Sequence, residues 1–398
     1  MSSIADFVRL AYEKVYAVRE KFAEAGLVPG DIRSQADLGL IPLIRKSELA
    51  ERQRREPPFG GFLTMPESAL QRIYVSPGPI YDPQGPGPDY WRWGQALSAA
   101  GFAQEDIVQN TFSYHLTPAG MMFDSALRHL GCTVIPAGVG NTELQVQIMR
   151  EAGVTGFIGV PSFLYTLLKK AQELGFSKHD IRLRKAWVAA EKLSEDLRAI
   201  LSGDFGVEVY QGYGTADLGC VAYECSERRG FHVAEEVIVE VVDPETGQSL
   251  GPGEPGEVVV TVLEPSYPLI RFGTGDLGAL TGAPCGCGRP GERLTGILGR
   301  TTDGVKVKGL FLYPHQVEEL RSRFAQVAFL QAVITQIDFR DVLTLRAEPV
   351  PDADIEGLGK RVEREAKELL RFTCRVELVA QGTFDGTEKN IIDARNWE

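Results

Sequence analysis

The sequence predicts an α/β protein: a large N-terminal domain of α/β layers carrying a β-rich subdomain, followed by a small α+β C-terminal domain. Three observations predict it. Between about residues 107 and 240, short apolar runs alternate with amphipathic segments, the pattern of parallel strands joined by crossover helices. From about 231 to 280 helical spacing gives way to β-branched runs. Beyond Arg300 strands and helices mix again over about a hundred residues. The 398 residues exceed one typical domain. The boundary is placed near Gly299 to Asp303, giving domains 1–299 and 300–398, with the β-rich part at about 220–298.

Each element follows from local pattern. Residues 3–56 read as helical, with Phe7, Leu10, Ala11, Val15 and Val18 on one face. Pro57-Pro58-Phe59-Gly60-Gly61 breaks that pattern. Ile73, Tyr74 and Val75 predict a short strand, and Ser76-Pro77-Gly78-Pro79 a rigid turn. A proline-rich stretch, 84–89, precedes an aromatic helix at 90–100. Strands are then expected at 106–113, 132–136, 156–160, 186–190 and 207–210, and helices at 121–130, 143–151, 163–174 and 195–201. Ligands in such sheets sit beyond the carboxyl ends of the strands. Runs 237–242 and 257–263 are joined through the turn-rich Asp243-Pro-Glu-Thr-Gly-Gln, a hairpin connection. In the last hundred residues, strands are expected at 306–312, 327–336, 342–346 and 376–379, and helices at 315–324 and 354–370.

Composition narrows the function. A formal net charge of −12 without a long basic block argues against a nucleic-acid partner. No basic segment leads into an apolar run at the N-terminus, and no stretch reaches the roughly 18–20 apolar residues of a membrane span, so a cytoplasmic, membrane-free protein is expected. Thiols stay reduced there, so the six cysteines are not read as a disulfide framework. Ala- and Leu-rich helices at the start offer a face on which two copies could form a homodimer.

Two clusters carry chemistry. Tyr210-Gln-Gly-Tyr-Gly-Thr-Ala-Asp217 sets two tyrosines between glycines, then a hydroxyl and a carboxylate. Glycine lets a ligand approach the main chain, tyrosine gives a stacking face, and Asp217 could hold a hard cation. That combination suits a magnesium nucleotide, and equally a turn with core tyrosines. Cys225, His232, Cys285 and Cys287 offer three thiolates and an imidazole, a closed tetrahedral set for structural Zn²⁺, or four unliganded side chains. Cys220 is the spare ligand; Cys132 and Cys374 are read as structural.

Several segments in order resemble the adenylate-forming superfamily, and within it the phenylacetate–CoA ligase-like branch. Val160-Pro-Ser-Phe-Leu164 resembles "TPSYL", and Ala189-Ala-Glu-Lys-Leu-Ser194 resembles "GAEPLS". Tyr213-Gly-Thr-Ala-Asp217 resembles the "YGxTE" motif, and Arg271-Phe-Gly-Thr-Gly-Asp276 resembles "YRTGD". Gly299-Arg-Thr-Thr-Asp303 is similar to the "GRxDD" hinge, and 305–318 to the segment that opens the small domain. The resemblance runs from about residue 40 to the end. It implies an ATP-dependent acid–CoA ligase that works through an acyl-adenylate, with a small domain that moves about Thr302 and Asp303. It implies adenine near Ala190, Glu191 and Tyr213, the α-phosphate near Thr215 or Ala216, Gly214 within the same nucleotide-binding motif, Mg²⁺ on Asp217, and ribose on Asp276 with Arg300. Thr111-Phe-Ser-Tyr-His-Leu-Thr-Pro118 lies where the family lines its acyl pocket. Phe112, Tyr114 and His115 would then surround a small aromatic or short carboxylic acid. ATP or AMP, Mg²⁺ and CoA are the implied ligands.

Two departures stand against this pattern. The family's "SSGTTGKP" phosphate loop corresponds to Ser76-Pro-Gly-Pro-Ile-Tyr-Asp-Pro83. Two prolines remove N–H donors, and Asp82 stands in place of lysine, where its charge would repel phosphate. At the C-terminus "GKAxRVxD" corresponds to Gly386-Thr-Glu-Lys-Asn-Ile-Ile-Asp393. Thr387 takes the lysine position, leaving Lys389 two residues on to stabilise developing negative charge. The departures leave two alternatives open: a nucleotide-binding homologue with lost or altered activity, or an adenylating enzyme with a non-CoA acceptor.

Overall fold

The structure, a computed structural model, describes residues 3–244, 246–301, 305–308, 310–312, 314–385 and 387–395. Thr302 and Asp303, the expected hinge, lie outside the described residues. The chain divides into two compact units, Met1–Thr301 and Thr302–Glu398.

The first unit opens with α1 (Ile4–Lys14) and α2 (Tyr16–Glu24). Ser3 caps α1 by accepting the Asp6 N–H at 3.2 Å. Phe7, Val8, Ala11, Val15, Val18 and Phe22 are buried in the unit's own core, so this apolar face is not left for a second copy. The helical pattern does not run on to residue 56. Gly26 takes φ +67° and Pro29 follows, so the chain turns through two short 3₁₀ helices instead. Next come β1 (Ile44–Arg45) and α3 (Lys46–Arg55). Then β2 (Arg72–Ser76) and β3 (Ile80–Gln84) pair antiparallel as a hairpin across Pro77, Gly78 and Pro79.

The alternating region follows the expected order. It comprises α4 (Trp93–Ala99), β4 (Ile107–Asn110), α5 (Ala119–His129), β5 (Thr133–Pro136), α6 (Thr142–Glu151), β6 (Gly156–Gly159), α7 (Pro161–Glu173), β7 (Lys185–Val188), α8 (Glu195–Gly203) and β8 (Glu208–Thr215). These strands lie parallel in the spatial order β8-β7-β6-β4-β5. Four-residue strands suffice because β6 is buried along its whole length between covering helices.

One expectation is corrected at β8. The glycine-rich stretch is strand through Thr215, and only Ala216 to Leu218 turn. Its first half pairs parallel with β7, its second half antiparallel with β9 (Gly219–Tyr223). The glycines make room for neighbouring protein groups. A Cβ on Gly212 would stand 2.6 Å from the Trp187 indole, and one on Gly214 2.7 Å from that of Trp93.

Through β9 the sheet continues into β10 (Phe231–Val233), β11 (Val237–Val242), β12 (Gly256–Val262), β13 (Phe272–Thr281) and β14 (Arg293–Arg300). The order β11-β12-β13-β14-β10-β9-β8 shows that the β-rich stretch extends the same sheet. It is antiparallel there, and β1 adds to β13 in parallel.

The second unit has its own core, with Val317, Leu320, Leu330, Ile334, Leu345 and Val362 at its centre. Where one strand was expected, β15 (Val305–Val307) and β16 (Leu310–Leu312) form a hairpin. After α9 (Pro314–Ser322) come β17 (Val327–Ile337), β18 (Arg340–Pro349), α10 (Leu358–Leu369), β19 (Cys374–Leu378) and β20 (Ile391–Asp393). The sheet order is β19-β18-β17-β20. No helix among the described residues is long and apolar enough to cross a membrane.

Candidate active site

Three residues distant in sequence meet at one carboxylate. Asp276 on β13 is the cross-strand partner of Arg300 at the end of β14. The Arg300 Nε donates to Asp276 Oδ1 at 3.0 Å. From β8, the Tyr213 hydroxyl donates to Asp276 Oδ2 at 2.8 Å. Burial first, and then the Asp276 charge, hold the Tyr213 phenol protonated well above its usual range. Each carboxylate oxygen keeps a second lone pair, so two further donors, such as a pair of vicinal hydroxyls, can still be accepted.

The neighbouring segments are also tied together. Ala190, between β7 and α8, holds φ +72°, a left-handed conformation uncommon for a residue with a Cβ. Glu191 accepts the Ser162 hydroxyl at 2.6 Å, which joins the 160–164 and 189–194 segments. Gly214 is pressed by the Gly219 carbonyl and Trp93. The Thr215 hydroxyl accepts the Leu218 N–H at 3.2 Å and so closes the turn that carries Asp217.

Asp217 is paired in a way that sequence reasoning missed. Its side chain is 1% exposed, and Oδ2 lies 2.8 Å from Nζ of Lys46, the first residue of α3. Oδ1 has no hydrogen-bond partner. No pattern links positions 171 apart, so Lys46 left no signal. Asp82 is corrected as well. It was expected to repel phosphate, but it is buried, and burial and then the Asp217 charge push its carboxyl up to about 8. At neutral pH it presents a largely protonated group.

The 111–118 segment follows β4. Phe112 stacks on Phe123 at 5.2 Å and 14° between ring planes, Phe123 lies 4.6 Å from Trp93, and Trp93 meets Trp187 edge-on at 6.0 Å. The Tyr114 hydroxyl accepts from Asn110 Nδ2 at 2.9 Å and donates to Asp124 at 3.3 Å. His115 is exposed and does not join them. In the second unit, Lys389 is exposed, and its backbone carbonyl accepts from Gln331 Nε2 at 3.0 Å. Gly386, two residues before Glu388, lies outside the described residues.

The Cys/His set is gathered by topology. β10 lies between β9 and β14, so His232 faces Cys225, just past β9, and the β13–β14 connection that bears Cys285 and Cys287. All four ligand atoms lie within 4.8 Å of one another. Cys225 and Cys285 sulfurs are 3.6 Å apart, and Cys287 Sγ is 3.4 Å from His232 Nε2. A tetrahedral zinc with ordinary bond lengths has S···S and S···N edges of about 3.8 and 3.6 Å. Burial, then Arg293 and Arg289, lower the His232 pKa, which favours the neutral ligand form. Cys220 is buried and outside the group.

The AMP-binding enzyme family matches residues 95–262. A phenylacetate-coenzyme A ligase of Thermus thermophilus is 30% identical, over 98% of this chain and 94% of that protein. One from Aromatoleum evansii is 29% identical, over 98% and 92%. A crystal structure of 2-hydroxyisobutyryl-CoA ligase, in complex with 2-HIB-AMP and CoA, superposes with a TM-score of 0.87 at 24% identity, over 98% of this chain and 88% of that one. The fold is that of an adenylate-forming ligase. The chain belongs to the AMP-binding enzymes, in their phenylacetate–CoA ligase branch.

Proposed function

We propose that the protein activates a small carboxylic acid with ATP and passes the acyl group to CoA. The acid's carboxylate oxygen attacks the α-phosphorus, the bond to the bridging oxygen breaks, and pyrophosphate leaves. The CoA thiol then gives up its proton and attacks the acyl carbon, and AMP leaves. The observation that carries this reading is the convergence of Tyr213 and Arg300 on Asp276 in a chain matched end to end by acid–CoA ligases. Asp276 accepts the ribose hydroxyls, Arg300 lies beside ribose or phosphate, and Tyr213, Ala190 and Glu191 border adenine. Thr215 or Ala216 borders the α-phosphate, and Gly214 belongs to the same nucleotide-binding motif. Magnesium, when bound, neutralises polyphosphate charge; the unpartnered buried Oδ1 of Asp217 suits it. Lys389 would stabilise the charge developing at the reacting oxygens.

The aromatic row Phe112–Phe123–Trp93 and the Tyr114–Asn110 pair suit a small aromatic or short acid. The relatives named for phenylacetate and the neighbour named for 2-hydroxyisobutyrate span that range. Cys225, His232, Cys285 and Cys287 would hold a structural zinc that ties β9, β10 and the β13–β14 connection together. Six free cysteines fit a cytoplasmic protein.

The test is ATP–pyrophosphate exchange across a panel of aromatic and short acids, followed by CoA-dependent release of AMP. At least one acid is expected to support both. Exchange with no acid, together with retained AMP binding in calorimetry, would replace the ligase with a nucleotide-binding protein.

A further inference from the structure

Asp82 departs from the family's phosphate loop, and its surroundings are those of a ligand. The β2–β3 hairpin carries it to the helix that pairs with Asp217. Gln53 of α3 donates to the Tyr81 carbonyl at 2.8 Å and accepts the Tyr81 N–H at 2.7 Å, so β3 is fixed to α3 one residue before Asp82. Lys46 of the same helix reaches Asp217 at 2.8 Å. The two carboxylates lie within each other's field, and both bear on the Tyr267 hydroxyl, which also accepts from Gln53 at 3.3 Å.

Asp82 is 2% exposed, and the Asp217 side chain 1%. Asp82 Oδ2 and Asp217 Oδ1 are both buried without a partner. An unsatisfied buried acceptor costs about 1–3 kcal/mol, and protein chemistry rarely leaves two in one place without reason. The ion pair of Lys46 is with Asp217, through Oδ2. The two idle oxygens are what a hard divalent cation takes, and its charge would favour the ionised form of Asp82.

We propose that Asp82 is a second carboxylate ligand, with Asp217, of the divalent cation that accompanies the nucleotide. This rests on the reading of Asp217 as the cation's holder. It assigns the altered loop a purpose: the hairpin gives up the phosphate-wrapping N–H groups and brings in an oxygen ligand instead. Lys46 occupies the cation's electrostatic place at Asp217 until the ion binds.

Mn²⁺ titrated into the nucleotide-free, zinc-replete full-length protein, with the free ion read by electron paramagnetic resonance, tests it. The wild type is expected to bind one ion, and Asp82→Asn and Asp217→Asn each to weaken it by roughly tenfold or more. Unchanged affinity in Asp82→Asn beside weakened binding in Asp217→Asn overturns the proposal and leaves the Asp217 reading standing. No weakening in either variant removes both, and no binding by the wild type overturns the preformed site. Should Asp82→Asn fail to fold, wild-type crystals soaked in MnCl₂ decide. An anomalous peak bonded to both carboxylates supports the proposal; a peak on Asp217 alone, or none, overturns it.

Discussion

Asp276 is held from two sides, by a phenol and a guanidinium on separate strands. In the proposed role, that fixes the carboxylate before a ribose would arrive, which would lower the ordering cost of binding. Hydrogen bonds to a charged group are worth about 1.5–3 kcal/mol. Asp276→Asn is therefore expected to weaken AMP binding by roughly 10- to 150-fold in calorimetry. Tyr213→Phe keeps the ring and loses one bond, so its effect is expected to be smaller. AMP held by Asp276→Asn as tightly as by the wild type would remove the ribose role. The same motif contains a residue with a different task. Arg271, at φ +50°, is buried and donates to Glu240 and to the carbonyls of Gly39, Ile41 and Gly247. It bolts the N-terminal segment to the sheet. A motif resemblance marks both residues alike; only the surroundings of Arg271 show that it anchors.

At the scale of elements, one ion pair locks the starts of three parallel strands. Asp106, just before β4, lies 2.9 Å from Nζ of Lys185, which opens β7, and accepts the hydroxyl of Thr155, just before β6, at 2.8 Å. Burial opposes ionisation, but the Lys185, Ala103 and Thr155 hydrogen bonds outweigh it and hold the carboxyl below its ordinary 3.8. A native value below the unfolded one adds stability that is present above the unfolded value and is lost as pH falls through the native one. Denaturant melts should thus show the contribution intact at neutral pH and falling in the acid range below about pH 4. Asp106→Asn should flatten that acid slope and lower stability at pH 7 by about 1.5–3 kcal/mol, the loss of a hydrogen bond between charged groups, with Lys185 still held by the Gly101 carbonyl. An unaltered acid slope in the variant would mean that the pair does not govern it. The strands themselves were legible from their apolar runs. The β15–β16 hairpin and three-residue β20 were not, because elements that short show no period.

For the molecule as a whole, each unit buries an apolar core of its own, and the proposed zinc would add to the stability of the first. Fresh protein is expected to contain about one equivalent of zinc, by the closed four-ligand set. Its removal by a chelator should cost a few kcal/mol and lower Tm by roughly 5–10 °C. Cys285→Ser should reproduce the shift and abolish the chelator's further effect. Less than about half an equivalent of zinc by elemental analysis would exclude the site as a zinc centre. The four cysteine and histidine positions could be singled out in the sequence because few residue types bind zinc. Their convergence depends on β10 lying between β9 and β14, which no local spacing encodes.

Periodicity and breaker residues were enough to determine the order of strands and helices between residues 107 and 240, the change of character after Arg300, and the ordered motifs that placed the chain in its family. Those signals are local: each depends on neighbours within a few residues. What met what was decided by the folded chain alone. Lys46 and Asp217, Asp82 and α3, Tyr213 and Asp276, and the indoles lying over Gly212 and Gly214 are joined across long loops. Such contacts are set by sheet order and burial, and the side chains that make them carry no mark of their partners in one dimension.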